Sequence, residues 1–269
     1  MLGLCIVLFI QVGVIGSMGA SRALAAAVPD ELARSGVTEH LGATLPISDY
    51  FFKDEDDKVV HLSDYFKGGR PVLLTLVYYE CPNLCNFMLN GLVTSLKKLD
   101  WTVGEKFEIV SVSINPRETP ELARRKKEAY LRAYGRSTSV SGWHFLTGTE
   151  DQIHKLAEDV GFGYQYVPEE KQYAHSAVIP VLTPEGRISR YLYGIEFLVR
   201  DLRMALLEAS HGKIGTVVDR LVLFCYRYDP KTRKYSVYLT HLMQMGCGLT
   251  VLIFGSYLML FWRRQRKGA

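Results

Sequence analysis

A chain of 269 residues, 48% of them hydrophobic, is long enough for one domain of ordinary size with appendages. Its formal net charge of +4 is too small to argue for a nucleic-acid partner. There is no internal repeat, low-complexity tract or phosphate-binding glycine signature, which removes solenoids and nucleotide-binding loops from consideration.

From Leu2 to Met18 the residues are almost all apolar or glycine, and Ala23-Leu24-Ala25 offers the small-x-small pattern that a signal peptidase cuts. Residues 1–25 read as a signal peptide, with an uncleaved anchor as the alternative because nothing charged precedes Arg22. Residues 26–44 read as a linker. Phe51-Phe52 and Val59-Val60-His61-Leu62 flank an acidic turn and predict a short hairpin. The apolar run Val72–Tyr78 predicts a buried strand, and Asn86–Leu99 carries Phe87, Leu89, Leu92, Val93, Leu96 and Leu99 near helical spacing.

A second buried strand is expected over Phe107–Ile114. Thr119-Pro120-Glu121 then opens a helix, with threonine as N-cap, proline at the first position and an acid in the first turn. Its run Arg124-Arg125-Lys126-Lys127 reads as a solvated face. Trp143–Leu146 predicts a short strand, and Thr149-Glu150-Asp151-Gln152 has the form of a capping box for a helix ending near Val160. Strands over Ala177–Leu182 and Ile188–Tyr193 are joined by a turn at Thr183–Arg187, and a last helix runs from about Glu196 to Ser210. Pro180 removes a ladder hydrogen bond from its strand and predicts a bulge or a shortened pairing. This order, βαβαβαββα, fits a thioredoxin-like α/β sandwich with an inserted strand–helix unit, spanning residues 45–212.

Residues 213–239 predict a juxtamembrane hairpin with its turn at 229–234, its tyrosines resting at the membrane interface or, equally, the strands extending the sheet. The uncharged stretch Leu242–Trp262 is long enough to cross a hydrocarbon core of roughly 30 Å, so residues 240–262 read as a transmembrane helix. Arg263, Arg264, Arg266 and Lys267 follow within the tail 263–269, placing the C-terminus in the cytoplasm and the globular part in the periplasm, at a bacterial inner membrane.

Of the five cysteines, Cys5 falls in the signal segment and Cys247 in the membrane helix, so no disulfide framework is implied. Cys225 stands alone and reads as a buried apolar residue. His241, Met243 and Met245, where the spanning helix begins, form a small soft-ligand group with a copper relay as the lesser reading. Cys81 and Cys85 are the pair that matters. If a helix starts near Pro82, they lie about one turn apart with both sulfurs near its N-terminal dipole, where thiolates are favoured. The four-residue step turns both thiols the same way, which suits two bonds to one soft ion such as Cu(I), and a flexible start would still permit a disulfide. A third ligand is then sought elsewhere, and His175 is the candidate, with a loop-capping role as the alternative.

The apolar strand running into Cys81-Pro82-Asn83-Leu84-Cys85, together with Ser113–Pro120, Phe145-Leu146-Thr147-Gly148 and Tyr173-Ala174-His175 before a strand and Pro184-Glu185-Gly186, resembles the Sco/SenC family over roughly residues 45 to 210. The resemblance implies a thioredoxin-like copper protein that helps mature cytochrome c oxidase, with Cys81, Cys85 and His175 matching the family's copper ligands. It also implies, as partners, the oxidase's copper-binding subunit and a further periplasmic copper donor. The chain departs from the family at its C-terminal anchor, at Ala174, where an acid is usual, and at Asn115, where aspartate is usual. Two functions are therefore expected in order: a metallochaperone delivering copper to the oxidase's binuclear site, and a thiol–disulfide oxidoreductase using Cys81 and Cys85.

Overall fold

The structure, a computed structural model, describes residues 36–136, 140–211, 226–229, 234–237, 248–250, 252–257 and 259. The expected hairpin is present as β1 (Phe51–Lys53) and β2 (Val59–His61), antiparallel across the acidic turn. There follow β3 (Val72–Val77), α1 (Leu84–Lys98), β4 (Glu108–Ser113), α2 (Pro120–Tyr134), β5 (Trp143–Leu146) and α3 (Glu150–Val160). Next come β6 (Tyr164–Val167), β7 (Gln172–His175), β8 (Val178–Leu182), β9 (Ile188–Tyr193) and α4 (Val199–Ala209). The expected C-terminal hairpin is β10 (Tyr226–Asp229) paired with β11 (Lys234–Val237), a separate two-stranded sheet.

The central sheet has the order β5-β4-β3-β8-β9. The first three strands are parallel neighbours, and β8 and β9 join antiparallel on the other side, the thioredoxin-like arrangement expected. Every residue of β3 and β4 is buried, so both faces of the sheet centre are covered by the helical layers. Their polar residues are satisfied inside: Thr75 donates to Ser111 Oγ at 2.8 Å, as does Trp143 Nε1 at 3.1 Å. Pro180 acts as anticipated. The β3–β8 ladder stops at Val181, beside the missing N–H, and the β8–β9 ladder shifts register between Val181 and Leu182.

Several expectations need correction. The segment between α3 and β8, where no element is expected, is a hairpin, β6–β7, and His175 is its last residue. The capping box at Thr149 does not form, because the Gln152 side chain turns to accept the Phe51 N–H at 3.1 Å and so ties α3 to the first hairpin. The last helix begins at Val199, since Leu198 before it is extended. The basic run in α2 is solvated only in part: Arg124 and Arg125 are exposed, Arg124 donating to the Glu55 carbonyl at 3.0 Å, while Lys127 pairs with Glu55 in a mostly buried contact and Lys126 reaches Asn86 Oδ1 at 3.3 Å. Residues 36–44 do not hang free as a linker. Thr38 donates to the Gly161 carbonyl and Gly42 to that of Ile188, and Gly161 (φ +72°) leaves a Cβ no room, with Thr38 O 1.8 Å from where it would lie.

Among the described residues no helix is long and apolar enough to cross a membrane. Of the predicted span 240–262, residues 248–250, 252–257 and 259 are described and helical, with Leu249, Leu252, Ile253, Phe254 and Tyr257 exposed. The remainder of that span, the basic tail, the predicted signal peptide, Cys225, His241, Met243 and Met245 lie outside the described residues.

Candidate metal centre

The two thiols occupy the junction between β3 and α1, off the carboxyl end of the parallel strands. Helix α1 begins at Leu84, two residues later than the predicted start, because Asn83 (φ −128°, ψ −98°) is not helical and its side chain caps nothing. Cys81 therefore stands before the helix and Cys85 in its first turn. The Cys81 sulfur takes over the capping role, accepting the Cys85 N–H at 3.4 Å.

The approach to Cys81 is held by Glu118, a residue inside the stretch Ser113–Pro120 that its sequence context does not single out. Its Oε2 accepts the Tyr79 N–H at 2.8 Å and the Ser113 hydroxyl at 2.5 Å, and its Oε1 accepts the Glu80 N–H at 2.9 Å. Burial pushes this carboxyl above its ordinary range, although the three hydrogen bonds oppose the rise. The signal available in sequence was an acid just before the N-cap of α2, and only the fold says where it turns. Tyr79 completes the floor, its hydroxyl donating to the carbonyls of Ser111 at 2.9 Å and Leu146 at 2.7 Å.

His175 arrives from the β6–β7 hairpin. Its Nε2 lies 3.0 Å from Cys85 Sγ, and its Nδ1 lies 3.0 Å from the Ser176 carbonyl oxygen. A carbonyl only accepts, so Nδ1 carries the hydrogen and Nε2 turns its lone pair toward Cys85. The ring packs 5.7 Å from Phe162 and edge-on to Tyr78 at 6.3 Å. With Cys81, Cys85 and His175 only 3%, 1% and 8% exposed, bulk water is largely kept from the three donors.

The two thiols are unequal. The hydrogen bond from Cys85, then those from the Tyr78 hydroxyl and the Cys85 and Asn83 N–H groups, bring Cys81 down to about 5 against the cost of burial. Cys85 is pushed up, first because it donates to Cys81 and then because it is buried. Burial lowers His175, so its imidazole is neutral at pH 7. Near neutrality the site thus holds one thiolate, one thiol and one neutral imidazole.

Among the described residues, no group of three or more His, Cys, Asp or Glu side chains is arranged as it stands to hold a metal ion. Cys85 and His175 are in contact and Cys81 lies beside Cys85, so the three donors are adjacent. The chemistry of the donors fits a soft ion: two sulfurs and an imidazole whose other nitrogen is bound to a carbonyl, the usual support of a ligating histidine. Of the two departures near the site, Asn115 is used locally, its Oδ1 accepting the Arg117 N–H at 3.1 Å and the Tyr173 hydroxyl at 3.4 Å, while Ala174 pairs with Gln165 in the hairpin. A cleft of about 550 Å³ opens beside the site, lined among others by Tyr78, Glu80, Pro82, Arg117, Tyr166 and Tyr173.

A family model described as SCO1/SenC matches residues 39–205. Among solved structures, a candidate electron transfer protein from Aquifex aeolicus VF5 is 25% identical at a TM-score of 0.56, covering 64% of this chain and 96% of its own. A candidate electron transport protein from the same organism is 25% identical at 0.51, covering 63% and 98%. Arabidopsis thaliana ScoI with copper bound is 20% identical at 0.49, covering 64% and 98%. No curated protein matches the sequence. With the family match extending over more than half of its length, the chain belongs to the SCO1/SenC family.

Proposed function

We propose that this protein is a membrane-tethered metallochaperone that delivers copper to the binuclear copper site of cytochrome c oxidase during assembly. The observation that carries this reading is the meeting of Cys85 and His175, 90 residues apart in sequence, beside the Cys81 sulfur in a buried pocket. Cu(I) is the cargo, held by Cys81, Cys85 and the Nε2 of His175, with Cu(II) admitted when a water completes the shell. Cargo passes by ligand exchange, in which thiolates of the oxidase's copper-binding subunit replace those of Cys81 and Cys85, and a periplasmic copper donor reloads the site. The cleft beside Pro82 gives a client segment room to approach. Oxidation of the pair to a disulfide switches binding off.

The tether is the apolar segment 240–262, whose described residues are helical with exposed large side chains, and the basic tail assigns the C-terminus to the cytoplasm and the domain to the periplasm of a bacterial inner membrane. The reading is tested on the full-length protein, purified in detergent and reduced, by Cu(I) titration against a competing chelator. One equivalent bound by wild type and lost in Cys81→Ser, Cys85→Ser and His175→Ala is the expected result. Retention of wild-type affinity by any of the three removes that residue from the ligand set.

A second reading is favoured by the inequality of the thiols, which suits a thiol–disulfide oxidoreductase: Cys81 thiolate attacks a client disulfide and Cys85 resolves the mixed disulfide. Metal-free protein that reduces a client disulfide equally well with and without His175, and binds no Cu(I), would replace the first reading by this one.

A further inference from the structure

Asn86 follows Cys85 in α1, and its side-chain amide joins three parts of the fold. The Nδ2 donates to the Cys81 carbonyl oxygen at 2.5 Å, while Oδ1 accepts Lys126 Nζ and the Tyr130 hydroxyl, each at 3.3 Å, both from α2. An ammonium only donates and a carbonyl only accepts, so the amide has one orientation: oxygen toward Lys126, nitrogen toward Cys81. The Cys81 N–H is bound in turn to the Tyr78 carbonyl at 3.2 Å. Both peptide groups flanking the Cys81 Cα are therefore held, and the two residues before it are held by Glu118. Beyond it Pro82 has no N–H to be held and Asn83 makes no side-chain cap, so the hold passes to the Cys81 sulfur, which accepts the Cys85 N–H at 3.4 Å.

We infer that Asn86, clamped by Lys126 and Tyr130, is a positioning residue that sets where the Cys81 sulfur stands relative to Cys85 and His175, a role that rests on the copper reading above. It also accounts for one member of the basic run in α2, Lys126, which orients the amide. An amide that left the Cys81 carbonyl free would let the turn rotate and the first thiol drift from the other two donors.

Asn86→Asp is the decisive variant, because it is isosteric, keeps an acceptor for Lys126 and Tyr130, and loses the donor to Cys81. In the full-length reduced protein in detergent, its Cu(I) affinity against a competing chelator should fall roughly 10–100-fold, the range typical of an outer-shell partner. The thiolate-to-copper absorption of the Cu(II) form should shift as well. Lys126→Met, which leaves Tyr130 in place, should move both readouts in the same sense by a smaller factor. Thermal unfolding and circular dichroism serve as the control for folding. Asn86→Asp with wild-type affinity and an unchanged spectrum overturns the assignment.

Should wild type itself take up no Cu(I), the copper reading falls, and the metal-free equilibrium with glutathione decides the role of Asn86. There the two cysteines give two protons and two electrons to oxidised glutathione, forming the Sγ–Sγ bond and two reduced glutathione molecules. A change in this equilibrium constant of roughly fivefold or more in Asn86→Asp supports the positioning role through one lost hydrogen bond. An unchanged constant overturns it.

Discussion

Two buried carboxylates at opposite ends of β4 are satisfied in opposite ways. Glu108, the first residue of the strand, is 4% exposed and pairs with Arg70, while its Oε2 makes no hydrogen bond and has His144 Nε2 at 3.8 Å. Glu118, just past the other end, is 8% exposed and has, among the described residues, no cation at ion-pair distance. It is satisfied by two backbone N–H groups and a hydroxyl instead. Neutralising charge with charge locks the closed end of the sheet. Neutralising it with backbone dipoles orders a loop without bringing a guanidinium beside the Cys81 thiol.

The largest effect that would break this contrast is at the closed end. Arg70→Met strands the Glu108 carboxylate in a buried position, and the loss should be about 3 kcal/mol, the lower end for a broken buried pair. The lower end applies because the Arg70 side chain is already 35% exposed. Urea unfolding measures it, and adding Glu108→Leu should restore most of the loss while leaving copper binding unaltered throughout.

At the site end, Glu118→Ala leaves the Tyr79 and Glu80 N–H groups without acceptors and should cost about 2 kcal/mol, accompanied by weakened copper binding. Glu118→Gln sharpens the same point through pH. The native carboxyl is raised by burial, so its contribution relative to the unfolded chain is fully present below the ordinary glutamate range of about 4.3 and is lost as pH rises through the higher folded value. The stability of wild type relative to Glu118→Gln should therefore decline from acid toward neutral pH. A difference that grows instead would reverse the assigned shift.

A smaller effect concerns the thiols. Carboxymethylation of Cys81 in metal-free protein should rise with pH through about 5 and be flat from pH 7 to 9, where an ordinary thiol, with a pKa near 8.5, is still climbing. Cys85 should remain unmodified across that range, as read by peptide mass mapping. Smallest of all, Thr119→Ala removes the side-chain acceptor for the Leu122 N–H at 3.4 Å and should lower stability by about 1 kcal/mol. Because it follows Glu118 without touching the loop, Cys81 reactivity should not change.

Elements carried by dense apolar runs were legible in the chain, often to the residue: Trp143–Leu146 and Ile188–Tyr193 are strands over those residues. The β6–β7 hairpin was not, because nearly all of its residues are only half-buried and show no apolar alternation. What holds it is a set of ring contacts across the strands, Tyr166–Tyr173 at 5.1 Å and Tyr164–Tyr173 at 6.1 Å, which register alone creates. The Thr149 capping box failed for a related reason, since Gln152 found a better-placed donor 101 residues away. At the site, the thiol pair was readable from its spacing, whereas Glu118 and Asn86 were not, because a polar side chain does not announce which carbonyl or N–H it will meet.

Sequence alone determined the parts whose physics is local: the buried strands, the Thr119-Pro120 helix start, the interruption at Pro180, and two soft donors four residues apart at a strand–helix junction. Family resemblance added His175 to them. Tertiary structure decided what contact across the fold decides. It put the His175 imidazole against Cys85, gave Cys81 rather than Asn83 the capping role, drew Lys127 of α2 into a mostly buried pair with Glu55, and made one thiol acidic and the other not. Spacing along a chain states which groups are near in the backbone, while burial and hydrogen-bond partners, which set reactivity, exist only once distant segments have packed.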